Sequence, residues 1–349
     1  MNSFNERLHH VIPGGAHTYS RGDDQFPSNT PSIFVRGEGA YIFDLKDDAY
    51  LDYGMGLRSV NIGYGNREIA DAAYNEIING NNLTRASVTE LKAAELFVDI
   101  IPSAEMVKFA KHGSTVTTAA IKLARAYTGR KFIAVPIEQP FFSFDDWFIG
   151  STVIKLGTLE EASNYTLKFN YNNIDSLKKL FLEYPNQIAA VMLEPATIQS
   201  PCTSNCTHEK NTCEGCSNIE NNFLHQVREL TKLNGTLMIL DEMITGFRWN
   251  LNGAQTKYNI VDLTFKHKEL KLMTENFDLM IIQKTALSLF FITTPYSSFS
   301  MLSIMIKTFA GVFFFSSGFA FFEVLVFGSG SAAIKSSIAE ITSGFAGIL

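Results

Sequence analysis

The stretch that most constrains this chain is LMILDEMITGFR, residues 237–248. Leu237, Met238, Ile239 and Leu240 form a continuous apolar run, which reads as a short strand buried on both faces inside a parallel sheet. Asp241 and Glu242 follow at once, at the carboxyl end, where open α/β sheets place their ligands. Adjacent carboxylates at the end of a buried strand are costly unless a cation or hydrogen-bond donors meet them. Such a strand end either turns straight into solvent or forms part of a site.

The surrounding pattern favours a site. Residues 106–110 read as a strand leading into KHGSTVTTAAIKLARAYTGR, where Val116, Ala120, Leu123 and Tyr127 share one helical face. Gly129 stands where a helix closes with a left-handed residue. At the start of this helix, Gly113, Ser114 and Thr115 offer backbone N–H groups, two hydroxyls and the positive end of the helix dipole, a cradle for phosphate. Serine and threonine are also ordinary helix caps. A further strand at 131–135 runs into EQPFFSFDDWFIG, whose aromatics suit either a core or a stacking platform for a planar ring. An amphipathic helix over 174–184 precedes another buried strand, 188–193, ending in Glu194–Pro195. Helices alternating with buried strands predict an α/β fold with a mostly parallel, doubly wound sheet and its polar residues along one edge.

Upstream, apolar pairs at 33–34 and 41–43 between turn signals at 37–39 and 46–48 predict a small antiparallel element. Arg21 lies in a glycine- and serine-rich loop, available to clamp a carboxylate. Residues 67–80 and 87–100 have helical spacing, the second opening with Ser87 and Glu90 as a capping box.

All four cysteines, Cys202, Cys206, Cys213 and Cys216, fall in PCTSNCTHEKNTCEGC, an insertion over 201–217. Clustered thiols with no secretory signal ahead of them suit a small structural zinc knuckle, a reduced solvent loop, or disulfides. Four thiolates would leave a metal no open position for catalysis.

A net charge of −6 with a pI near 5.7 argues against a nucleic-acid surface. The polar N-terminus, MNSFNERLHH, carries no apolar signal core, which predicts a cytosolic protein. From residue 285 onward the only charges are Lys307, Glu323, Lys335 and Glu340. Three segments are therefore expected: 1–60, a cofactor-sized α/β unit at 61–265, and an atypical apolar tail at 266–349. The uncharged run 285–306 is long enough to span a bilayer, but its Ser and Thr content and Pro295 weigh against that. Loss of the original C-terminal sequence by frame disruption is the favoured account, because the break falls within a motif.

Taken together, IPGGAHTYSRG, FVRGEGAYIFDLKDDAYLDY, the 102–130 segment, LEPAT and LDEMITGFR followed by NGAQ resemble the class III pyridoxal-phosphate aminotransferases, and within them the glutamate-1-semialdehyde aminomutase branch. The resemblance covers residues 5–265 and implies a fold type I scaffold that binds pyridoxal 5'-phosphate and acts as a homodimer on a small amino or keto substrate. It implies that Asp241 pairs with the protonated pyridine nitrogen, keeping the ring an electron sink. Met243 packs on the ring, Gly113, Ser114 and Thr115 hold the phosphate, Phe141 stacks, and Phe142 replaces a neighbouring histidine. Glu194 matches the glutamate after the LEP-type strand, and Arg21 the substrate-carboxylate arginine.

Catalysis in this family needs a lysine that joins the cofactor covalently and shuttles a proton. In place of a Thr-Phe-Gly-Lys setting, the chain reads LTFKHK, so Lys266 follows Thr264–Phe265 directly and the glycine is absent. Lys266 is the first candidate for that role and Lys268 the second. The expected function is amino-group transfer, or transfer within one molecule as in an aminomutase. The altered aromatic segment makes a keto-sugar acceptor an alternative, and the altered lysine segment a non-catalytic remnant.

Overall fold

The computed structural model describes residues 3–80, 83–110, 112–139, 141–197, 199–202 and 221–260, with the backbone of two strands at 278–285 and 321–327. In chain order its strands are β1 (Phe34–Glu38), β2 (Tyr41–Asp44), β3 (Ala49–Leu51), β4 (Met106–Ala110), β5 (Phe132–Pro136), β6 (Thr166–Phe169), β7 (Ile188–Leu193), β8 (Leu237–Asp241), β9 (Asp278–Thr285) and β10 (Phe321–Phe327). Its helices are α1 (Phe4–Val11), α2 (Met55–Arg58), α3 (Arg67–Ile78), α4 (Val88–Ile100), α5 (Gly113–Thr128), α6 (Asp146–Ile149), α7 (Glu160–Ser163), α8 (Ile174–Glu183), α9 (Phe223–Leu233) and α10 (Ala254–Lys257).

The small antiparallel element is present as β1-β2-β3. The main sheet has seven strands in the order β4-β10-β9-β8-β7-β5-β6. Strands β6, β5, β7, β8 and β9 run parallel, and β10 is antiparallel to both its neighbours. The fold is thus a mixed α/β sheet, as the alternation of apolar runs and helical patterns predicts. Strands β9 and β10 come from the segment after residue 265, so part of the low-charge tail lies within this sheet.

The pleat sorts the core into two layers. Ile133, Val135, Ala190, Met192, Leu237 and Ile239 pack with Val116, Ala120 and Leu123 of α5 on one face. Their alternate neighbours, Ala134, Val191, Leu193, Met238 and Leu240, pack on the other with Phe97 of α4, Leu177 and Phe181 of α8, and Leu224 and Val227 of α9. Every residue of β7 and of β8 is buried, which explains why those strands read as continuous apolar runs. At the amino ends of the strands, Arg130 ties three segments together. Its guanidinium donates to Ile188 O (3.2 Å), Asn234 O (2.8 Å) and the Thr236 hydroxyl (3.0 Å).

Helix termini follow the local sequence. Ser3, Asn66, Ser87, Asn173 and Asn222 each accept a first-turn backbone N–H at the starts of α1, α3, α4, α8 and α9. Ser87 and Glu90 form the expected capping box. Helix α5 differs: its N-cap, His112, is extended and makes no side-chain cap. At its other end Gly129 adopts the left-handed conformation, φ 67°, that closes the helix. Among the described residues no helix is long and apolar enough to cross a membrane.

Candidate active site

Parallel pairing between β7 and β8 sets the centre of the site. Leu193 lies opposite Leu240, so one residue further along the same register Glu194 arrives beside Asp241. By the same alternation, both carboxylates follow the α5 face of the sheet, while Glu242 follows the opposite one. The adjacent acids Asp241 and Glu242 are thereby separated into different roles.

Glu242 is fully buried and structural. Its carboxylate accepts from the Thr245 hydroxyl (2.9 Å) and from the backbone N–H groups of Ala254 (2.6 Å) and Gln255 (3.3 Å). It therefore caps α10 from a distance and holds the turn through Gly253. That glycine has φ +83°, and a Cβ there would come 2.5 Å from a Glu242 carboxylate oxygen.

Asp241 and Glu194 are 4% exposed each, and neither takes part in an ion pair among the described residues. Asp241 Oδ1 accepts the Met243 backbone N–H at 3.0 Å. Glu194 Oε2 is buried with no partner. Burial, then the neighbouring Asp241, pushes the Glu194 carboxyl up to about 9, with the Arg58 charge opposing. Burial likewise raises Asp241 to about 7, against the stabilising Met243 N–H. Burial and mutual repulsion thus both favour the protonated forms, Glu194 more strongly than Asp241.

Glu194 is held in place through its backbone. The buried Gln139 side chain donates to Glu194 O (2.9 Å) and accepts from Glu194 N (2.8 Å), making a two-bond clasp between the ends of β5 and β7. The Tyr171 hydroxyl adds a 2.6 Å bond to Pro195 O. Neither residue stands out in the sequence, since a glutamine or a tyrosine after a strand carries no periodic signal.

The α5 start faces the same edge. Gly113 and Ser114 are buried, and Ser114 Oγ accepts the Phe144 N–H at 3.1 Å. The Thr115 hydroxyl lies 3.2 Å from the His112 ring. One turn on, Thr117 donates to Phe142 O (2.9 Å) and Thr118 accepts from Trp147 Nε1 (2.9 Å) while donating to Asp145. A run of hydroxyls on the first turns of α5 thus anchors the aromatic 141–148 segment. Phe142 and Phe148 are in the core, whereas Phe141 is half exposed with its edge-on contact to Phe148 at 6.2 Å. Phe144 is also exposed, 5.7 Å from the His112 ring. Of the two adjacent phenylalanines, then, Phe141 has a face available and Phe142 is packing.

Met243 is half-buried immediately after Asp241. Arg21 is exposed on a short turn, Tyr19–Arg21, and its charge acts on the Tyr64 phenol. Lys266 and Lys268 lie outside the described residues, as do Cys206, Cys213 and Cys216. The Cys202 thiol is directed at Ser200 O, 3.7 Å away. Among the described residues no cluster of three or more His, Cys, Asp or Glu could hold a metal ion.

Comparison with known proteins places this arrangement. The model of the class-III aminotransferases matches residues 23–254. Glutamate-1-semialdehyde 2,1-aminomutase 1 of Lachnoclostridium phytofermentans is 32% identical over 264 residues, which is 73% of this chain and 58% of that protein. The chain therefore spans less than two thirds of the length of that curated relative. Among solved structures, the FumI protein of Sphingopyxis sp. MTA144 superposes with a TM-score of 0.68 at 24% identity, covering 95% of this chain and 65% of that one. An omega-transaminase from Sphaerobacter thermophilus gives 0.68 at 22%, over 95% and 64% of the two chains. These structures establish the fold type I scaffold. With the family model covering most of the described residues, the chain belongs to the class-III aminotransferases.

Proposed function

We propose that this chain binds pyridoxal 5'-phosphate at the carboxyl edge of β7 and β8 and serves amino-group transfer of the aminotransferase or aminomutase type. The observation that carries the reading is the buried Asp241–Glu194 pair, neither member of which makes an ion pair among the described residues. Asp241 would hold a protonated pyridine nitrogen through its carboxylate, and Glu194, with the more strongly raised pKa, would stay protonated beside it. The α5 terminus supports the reading independently. Its first-turn N–H groups lack a capping side chain, as a phosphate-binding terminus requires. Bound there, the cofactor would supply the electron sink that makes a substrate's α-proton labile.

The roles of the chain's own residues follow. Asp241 holds the ring nitrogen, Gly113, Ser114 and Thr115 hold the phosphate, and the exposed face of Phe141 covers the ring. Met243 closes the site beside Asp241, and Arg21 receives a substrate carboxylate. Lys266 is the proposed point of covalent attachment and proton transfer. The 32% identity to an aminomutase supports that branch of the chemistry.

The test is a titration of the full chain with pyridoxal phosphate, followed by absorbance, then borohydride reduction and peptide mapping. Saturable binding that Asp241→Asn weakens by tenfold or more is expected, roughly the loss of one charge-assisted hydrogen bond. Equal binding by both proteins would remove Asp241 from the role, and cofactor fixed to a peptide other than the one holding Lys266 would reassign the lysine. We further propose a cytosolic homodimer, to be checked by sedimentation, and a structural zinc on Cys202, Cys206, Cys213 and Cys216. Protein free of zinc after purification in its presence under reducing conditions would exclude the metal.

A further inference from the structure

We propose that Thr118 is a positioning residue of this site: without touching the cofactor, it ties the stacking face of Phe141 to the same helix whose start receives the phosphate. The proposal rests on the cofactor-binding reading above and adds how the two ends of the ligand are kept in register.

Helix α6, Asp146–Ile149, is four residues long. A helix that short is not stable by itself, so bonds from outside decide where it sits. Its N-cap, Asp145, makes no side-chain cap. The Asp145 carboxylate turns to α5 instead, where it accepts from the Thr118 hydroxyl. The same hydroxyl oxygen accepts the Trp147 indole N–H at 2.9 Å. Fully buried Ser143 closes the loop: its Oγ accepts the Asp145 N–H at 3.0 Å and lies 3.4 Å from Thr118 Oγ1. One hydroxyl, a single turn after Ser114 on the same face of α5, therefore fixes the start of α6. Two further bonds hold α6, from the Thr166 hydroxyl to Trp147 O and from the Leu159 N–H to Asp146 at 3.1 Å. Neither of these comes from α5.

What α6 carries is Phe148. Its buried ring meets Phe141 at 6.2 Å and 83°, Phe142 at 5.4 Å and 85°, and Trp147 at 5.5 Å and 60°. Lys168 Nζ lies 4.7 Å from its centroid. Edge-to-face packing is directional, so the orientation of Phe148 sets that of half-exposed Phe141. The chain of command runs from Thr118 through Asp145 and Trp147 to Phe148, and from Phe148 to Phe141. Ser114 and Thr117 act differently. They bond the backbone of Phe144 and Phe142, which places the segment but leaves the ring of Phe141 to its neighbours. Helix α5 thus carries both the start that faces a phosphate and the hydroxyl that aims the stacking ring. A ligand that joins a phosphate to a planar ring depends on the separation of the two; a ligand with the phosphate alone does not.

Dissociation constants of the full chain for pyridoxal phosphate and for inorganic phosphate test this. Thr118→Val keeps the shape of the side chain and removes the hydroxyl. It is expected to weaken pyridoxal phosphate by about fivefold or more, the effect of one lost hydrogen bond, and to leave inorganic phosphate within about twofold. Thr118→Ser should restore the wild-type value. The circular dichroism that the site imposes on the bound cofactor should fall and return in parallel. In a Phe141→Leu background Thr118→Val should add little, because both changes act on one stacking contact. That cycle needs no phosphate measurement. Equal weakening of both ligands, no weakening of pyridoxal phosphate, or a full effect of Thr118→Val in the Phe141→Leu background would each overturn the proposal. Trp147→Phe removes the indole donor from the same hydroxyl, should give the same selective loss, and decides the matter if Thr118→Val fails to fold. A wild type that binds no pyridoxal phosphate would instead overturn the cofactor reading, and this role with it.

Discussion

Glu194 and Asp241 differ from most carboxylates in a fold of this kind because nothing described around them is positive enough to keep both ionised. Their folded-state pKa values, about 9 and about 7, lie above the ordinary carboxylate values of 4.5 and 3.8. A carboxyl that holds its proton more tightly when folded contributes stability that is fully present below the unfolded value and lost as pH rises through the folded one. Resistance of the cofactor-free chain to urea should therefore fall between pH 5 and pH 9, first as Asp241 and then as Glu194 ionises. Glu194→Gln, neutral throughout, should remove much of that fall. A wild-type urea midpoint that does not change over this range would refute the raised carboxyl pKa values. Glu242 is structural instead, its side chain accepting from three donors. Glu242→Ala leaves those donors unpaired and should cost roughly 1–3 kcal/mol in urea unfolding.

At the scale of elements, the site depends on two clamps at opposite ends of the central strands. Gln139 joins the carboxyl ends of β5 and β7, while Arg130 joins their amino ends to the turn before β8. Removing Arg130 strands three acceptors, two of them strand or turn carbonyls. Arg130→Met should therefore lower the thermal midpoint by several degrees, about 1–3 kcal/mol, while leaving the ratio of cofactor affinities at different pH values unchanged. Gln139→Leu should do the reverse. Its stability cost is of the same order, but it should also weaken cofactor binding by letting Glu194 drift from Asp241. Measuring both variants by calorimetry and by pyridoxal-phosphate titration separates the two clamps; similar binding by both would deny Gln139 a positioning role.

At the scale of the molecule, β9 and β10 connect β8 to β4 and complete the seven-stranded sheet. Without them β8 would present an open edge along Met238–Leu240, apolar and flat, which is a template for aggregation. A chain cut after residue 265 is expected to elute as aggregates or to precipitate, and a monodisperse truncated protein in size-exclusion chromatography would show that the pairing of β8 with β9 is dispensable. Strand β10 thus gives one stretch of the low-charge tail, Phe321–Phe327, a place inside this sheet.

Local sequence determined most of the elements and where the site lies. Continuous apolar runs marked β7 and β8 because strands covered on both faces have no polar alternation to show. Ser87 with Glu90 marked the start of α4, and Gly129 the end of α5, because caps are chemistry between residues a few positions apart. Acids at 194 and 241 pointed to one edge because each follows its strand directly. The tertiary structure decided what depends on pairing and on parity. Which of Asp241 and Glu242 enters the site follows from a pleat that turns neighbours to opposite faces, and that Glu194 meets Asp241 follows from the β7–β8 register. Phe141 and Phe142 are indistinguishable by composition, yet one is open and the other is core. Gln139 and Arg130 carried no local signal because their partners lie 55 and 58 residues away, distances that only folding closes.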